Sequence, residues 1–128
     1  MRKLMVACAL ALGACGGSEK DFETFLGTYN TTGNISYSGQ GCPAPAPTAG
    51  TLTIERGPPS DLVVRVGQSC VVPLNITGGN TFDIVSTTCG TTSFKGHGTV
   101  NNKLLDATVN GNVSQTCQYT QTIRGPKQ

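Results

Sequence analysis

The chain has no tryptophan, a single histidine and few charges: Lys, Arg, Asp and Glu together make up 12% of its 128 residues, and aromatic side chains 5%. Each shortage excludes something. No apolar run approaches the roughly 20 residues that a membrane-crossing helix needs, and the N-terminal stretch from Leu4 to Ala14 is too short. Past that stretch the closest cysteines, Cys70 and Cys89, are far from the Cys-x-x-Cys spacing of a zinc cradle, so no metal is expected. The glycine clusters Gly78-Gly79 and Gly96-His97-Gly98 lack the Lys-Ser/Thr and the strand-to-helix setting of a phosphate loop. They read as turn and bend residues.

The N-terminus does carry an export pattern. A basic start (Arg2, Lys3) precedes an apolar stretch from Leu4 to Leu12, small residues Gly13-Ala14, and a polar run Gly16-Gly17-Ser18-Glu19-Lys20. Between these parts, Leu12-Gly13-Ala14-Cys15 resembles the lipobox of bacterial lipoproteins. The resemblance implies that residues 1–14 are a signal peptide and that Cys15 becomes the first mature residue, lipidated through its thiol with diacylglyceryl and palmitate-type chains. Several acyl chains, at about 0.8 kcal/mol per buried CH₂, hold a protein at a bilayer stably. Residues 15–24 then form the lipidated tether and residues 25–128 a single domain. Gly16 stands where inner-membrane lipoproteins commonly carry Asp, which implies the periplasmic face of the outer membrane.

This address changes the composition. Losing Arg2 and Lys3 lowers Lys plus Arg from 9 to 7, equal to the 7 Asp plus Glu. A mature chain near zero net charge gives no electrostatic reason to expect a nucleic-acid partner. With Cys8 removed and Cys15 lipidated, Cys42, Cys70, Cys89 and Cys117 remain, and four cysteines in an oxidising compartment predict two disulfides. The Asn-x-Ser/Thr triplets at Asn30, Asn34, Asn75 and Asn112 carry no glycan meaning in a bacterial envelope.

Beyond Lys20 the sequence alternates with the period of half-buried strands. Leu52 and Ile54 share one face; Leu62, Val64 and Val66 share another, with Gly57-Pro58-Pro59-Ser60 as the turn between them. Cys70, Val72, Leu74 and Ile76 align, and after Gly78-Gly79-Asn80 the partner strand turns Phe82 and Ile84 inward. This hairpin roughly opposes Cys70 to Thr87, one pleat from Cys89, and so predicts a Cys70–Cys89 disulfide. Elimination leaves Cys42 with Cys117. Further strands are expected over Thr28–Ser38 with a break near Gly33, and over Ser93–Val100, Leu104–Asn110 and Val113–Arg124. Asn101-Asn102 and Asn110-Gly111-Asn112 are the expected turns, Asp21–Phe25 the one helical scrap, and Gly39–Gly50 the one long exposed connection.

The expected fold is therefore all-β, an antiparallel meander of about eight strands that closes as a small up-and-down barrel or packs as a two-sheet sandwich. Gly27-Thr28-Tyr29 at the start of the first strand and Arg124 at the end of the last resemble the Gly-x-Trp and terminal Arg of the calycin group, the lipocalins and their relatives. The resemblance implies the barrel, with Tyr29 plugging its base in place of Trp and Arg124 packed across it.

No catalytic constellation stands out. His97 lacks a nucleophile motif and reads as an exposed strand residue between bending glycines. The carboxylates Glu55, Asp61, Asp83 and Asp106 are scattered rather than paired. No enzyme activity and no cofactor are expected. The aromatics Tyr29, Tyr37, Phe82, Phe94 and Tyr119 fall on inward positions, where they either pack a core or line a cavity for one small ligand. Thr31, Ala107 and Gly98 are the inward positions expected to leave room. The first expectation is a structural or protein-interaction role in the envelope, with an envelope protein as partner. A lipocalin-like binding protein for a small hydrophobic molecule is the alternative, and a hydrolase or enzyme inhibitor comes last.

Overall fold

A computed structural model describes residues 22–58, 60–66 and 69–128. The lipobox, Cys15 and the tether up to residue 21 lie outside the described residues. A single helical turn, α1 (Phe22–Phe25), leads into eight strands: β1 (Gly27–Gly39), β2 (Ala46–Arg56), β3 (Leu62–Val66), β4 (Cys70–Ile76), β5 (Thr81–Cys89), β6 (Thr92–Asn101), β7 (Leu104–Asn112) and β8 (Cys117–Pro126). Each pairs antiparallel with the next, and β1 pairs with β8. The meander closes into a barrel rather than a sandwich.

Closure depends on β1, which continues through Gly33 instead of breaking there. It pairs with β2 from Gly27 to Ile35 and with β8 from Thr32 to Gly39, so one strand serves two neighbours in succession. Gly33 makes the handover: a Cβ at this position would run into the Thr122 carbonyl oxygen of β8. The glycine that resembled a strand break is where two strands come closest.

Three other boundaries differ from the sequence expectation. β2 begins at Ala46, so the exposed connection is shorter than Gly39–Gly50. Pro47 enters the strand opposite Asn34 because β2 pairs with β3 only from Ile54 to Arg56, leaving its first half unpartnered on that side. β7 runs through Gly111 to Asn112, and β8 starts at Cys117, with the turn at residues 113–116. There Val113 donates its N–H to the Cys117 carbonyl, and Gln40 N–H and the Thr116 hydroxyl tie this turn to the connection after β1. The β6–β7 hairpin turns on Asn102 and Lys103, at φ 51° and 65°, a two-residue turn of the primed kind one position later than expected.

Inward rows are apolar and outward rows polar. Thr28, Asn30, Thr32, Asn34 and Ser36 face out along β1, and Asp106, Thr108 and Asn110 along β7. That is the reverse of a lipid-embedded barrel, whose outer face is an apolar band. Among the described residues no helix is long and apolar enough to cross a membrane.

Both predicted cysteine pairs meet. Cα atoms are 5.4 Å apart for Cys42 and Cys117 and 5.7 Å apart for Cys70 and Cys89, within the range a disulfide spans. The β4–β5 register opposes Leu74 to Ile84 and Ile76 to Phe82, which on extension sets Cys70 against Thr88 rather than Thr87. The ladder itself stops at Leu74, next to Pro73, which has no N–H to contribute. Beyond that point the Cys70–Cys89 bond joins β4 to β5 in place of backbone pairing.

Candidate functional site

The barrel has two unlike ends. The base gathers the start of β1, the end of β2, the β4–β5 and β6–β7 turns and the end of β8, and α1 lies across it. Phe25, Tyr29 and Leu62 are fully buried there, and Val100 and Leu105 are 1% exposed. Tyr29 donates its hydroxyl to the Phe25 carbonyl at 2.7 Å, closing α1 onto the strand that follows. Phe25 sets its ring edge-on to Phe82, 5.9 Å between centroids. Burial pushes the Tyr29 phenol up to about 12, since the phenolate would have to form in an apolar plug.

Arg124, expected to pack across this aromatic, instead lies on the outer wall with its Nε 3.5 Å from Asp106. β8 alternates, so an even-numbered residue in its paired part faces out along with Thr120 and Thr122. Lys127 occupies the position over the base. Its ammonium sits 5.7 Å from the Tyr29 ring centroid and 3.4 Å from the carbonyl oxygens of Glu23 and Thr24. On the other side of α1, Arg56 lies 4.1 Å over the Phe22 ring. Two cations hold the helical turn against the barrel.

Above the plug the interior is not filled. An apolar cavity of about 270 Å³ is bounded by Ile54, Val64, Val72, Ile84, Val109 and Ile123 on the walls, with Phe82 below and Phe94 and Tyr119 towards the opening. Val66, also on its lining, is 53% exposed, so the cavity opens beside the β3–β4 hairpin. The strand register explains why. β3 pairs with β2 through three residues and β4 with β5 through three, all on the base side. The far end of the hairpin is paired only with itself.

The five aromatics proposed from the sequence therefore divide. Phe82, Phe94 and Tyr119 line the cavity. Tyr29 does not, because it forms the plug, and Tyr37 does not, because it stands opposite Tyr119 at the rim with ring centroids 6.4 Å apart. Gly98 leaves no room: the Phe82 ring and the Ala107 methyl occupy the space a Cβ would need. Ala107 itself does line the cavity. Gln121 was missed. It lies inward between Ile35 and Val109 in the β1–β8–β7 register, on the row Cys117, Tyr119, Gln121 and Ile123 that alternation alone marks. Its amide makes no hydrogen bond to another side chain or backbone group among the described residues.

The remaining candidates lie elsewhere. His97 is exposed on the outer wall, opposite Asp83 and Thr108 in the flanking strands. Among the described residues no three His, Cys, Asp or Glu side chains gather as a metal site. The sequence matches no protein-family model and no curated protein at a significant level.

Proposed function

We propose that this chain is a lipid-anchored envelope protein whose barrel holds one small apolar molecule. The observation that carries the reading is the cavity: about 270 Å³, lined by aliphatic and aromatic side chains, and open at one end. That volume lies just below the range of roughly 300–1,000 Å³ usual for small-molecule pockets. An apolar space of this size forgoes dispersion contacts that a bound molecule would restore. This favours the binding role over the structural or protein-interaction role.

The anchor fits the same reading. Residue Cys15 precedes Phe22 by seven positions, a reach of at most about 25 Å. The chain enters the barrel at the base. A lipid on Cys15 therefore keeps the plugged end towards the bilayer and leaves the mouth towards the periplasm, open to exchange ligand.

Native mass spectrometry of the mature, lipidated protein released from membranes tests the reading directly. A bound apolar species that dissociates on activation is expected, and Val109→Phe, which adds a ring inside the cavity, should lower its occupancy at least tenfold without loss of fold. A chain that binds no apolar probe at any concentration below its solubility would sink the proposal. Cys15→Ala should move the protein from the membrane to the soluble fraction.

A further inference from the structure

The ends of the barrel differ in charge as well as in packing. Four segments surround the mouth, their described parts being residues 38–46, 66 and 69–70, 85–93 and 112–118. None contains Asp, Glu, Lys, Arg or His; they are Ser, Thr, Asn, Gln, Gly, Pro, Cys and small aliphatic residues. The cavity lining is also without charge. Around the base, by contrast, stand Glu23, Arg56, Asp61, Lys103 and Lys127. The charged side chains nearest the mouth are Arg65 and Lys95, and both belong to outward rows. Arg65 is engaged by Glu55 at 3.5 Å, and Lys95 is exposed between the inward positions Phe94 and Gly96.

Inside, polarity is confined to two groups. Gln121 presents an amide with no side-chain or backbone partner among the described residues, and Tyr119 a phenol with none. An amide offers both a donor and an acceptor, and a phenol likewise. Such groups recognise a hydroxyl or a carbonyl. They cannot neutralise a carboxylate or a phosphate, and bringing an unpaired ion into an apolar cavity is strongly unfavourable. The Tyr119 phenol is pushed up by its own burial and then by Tyr37, so it remains a neutral donor through the physiological range.

From this segregation we infer that the cavity selects uncharged amphiphiles: a short apolar chain carrying one neutral hydrogen-bonding head, taken up tail first, with the head at Gln121 and Tyr119. The inference rests on the binding role proposed above and narrows its ligand class. Anionic lipids of the same length are disfavoured because the cavity lining carries no cation, Lys95 lying outside it in an outer groove that it shares with Tyr119. A tail reaching towards Phe82 and a head near the rim matches the order in which apolar and polar groups follow one another along the cavity.

Displacement of the neutral fluorophore N-phenylnaphthylamine from the full-length chain, with decanol and decanoate as competitors at neutral pH, tests it. Decanol is expected to compete at least tenfold more tightly than decanoate. Gln121→Leu should weaken decanol severalfold relative to the fluorophore, a change in ratio that a misfolded variant would not give. Decanoate binding as tightly as decanol, or decanoate binding that disappears in Lys95→Gln, would overturn the neutral-head selection and leave the binding role standing. Failure of the fluorophore itself to bind would overturn the binding role, and the selection with it.

Discussion

At the base of the barrel, Phe25, Tyr29, Leu62, Val100 and Leu105 are at most 1% exposed, and contacts between side chains hold the strands together. Along the cavity above it, Leu52, Phe94, Gln121 and Ile123 are only partly buried, and at the mouth β3 and β4 leave their neighbours after three pairs and both disulfides are found. An end that keeps an open cavity cannot also fill it with core. Covalent links then supply the restraint that packing supplies below, Cys42–Cys117 tying the connection after β1 to the start of β8, and Cys70–Cys89 tying the β3–β4 hairpin to β5. A binding barrel of this size divides its stability between a packed end and a stapled one.

The largest test of that division is removal of the staples. Cys42–Cys117 closes 75 residues and Cys70–Cys89 closes 19, so the chain-entropy model assigns them about 4.5 and about 3 kcal/mol respectively. Equilibrium denaturation of the paired Cys→Ala variants should rank them in that order; equal losses would mean that the reduced chain retains structure at the mouth. In the Cys70→Ala/Cys89→Ala variant, amide exchange should rise along the β3–β4 hairpin and stay slow in the β1 segment beside α1. Exchange that rises equally at both ends would break the comparison.

Tyr29→Ala comes next, with an expected loss of about 3–5 kcal/mol for emptying a fully buried aromatic site. Tyr29→Phe keeps the ring and loses the 2.7 Å hydrogen bond to the Phe25 carbonyl, for about 1 kcal/mol. Phe94→Ala, at the partly exposed mouth, should cost about 1 kcal/mol. If the Phe94 variant lost as much as the Tyr29 variant, the mouth would be a packed core and not a cavity rim.

Alkaline titration probes the base alone. The Tyr29 phenol is raised from 10.0 to about 12 in the fold. Its contribution is therefore complete below pH 10 and is lost as pH climbs through 12, because the unfolded chain gives up this proton first. The two-unit difference corresponds to roughly 2–3 kcal/mol. Tyr29→Phe should flatten that part of the stability profile, as measured by denaturant midpoints between pH 9 and 12. The smallest effect is expected on the outer wall: Arg124→Ala, which breaks a 3.5 Å pair between half-exposed side chains, should change stability by less than about 0.5 kcal/mol.

Much of this barrel could be read from alternation. The inward row Cys70, Val72, Leu74 and Ile76, facing Phe82 and Ile84 across Gly78-Gly79-Asn80, follows from a two-residue period that has one buried face. So does the Cys70–Cys89 pairing, even with the register displaced by one. What misled was local punctuation. Gly33 read as a strand break and Gly111 as a turn, yet both lie within strands, where a Cβ would collide with a neighbouring strand or side chain; close approach between distant segments leaves no mark in the local sequence. Arg124 carried the resemblance but faces outward, and Lys127, three positions on, took the place over Tyr29 because β8 extends to Pro126 before the chain turns across the base.

The sequence by itself determined the approximate strand count and the inward faces, and pointed to the pairing of Cys70 with Cys89, because these depend on spacing and parity along the chain. Tertiary structure alone decided that the meander closes, that Tyr29 seals one end while Phe82, Phe94 and Tyr119 border a space at the other, and that the uncharged connections gather around that space. Those outcomes depend on how far each strand pairs with its neighbours. The extent of pairing is set jointly by residues that meet only after the barrel has formed.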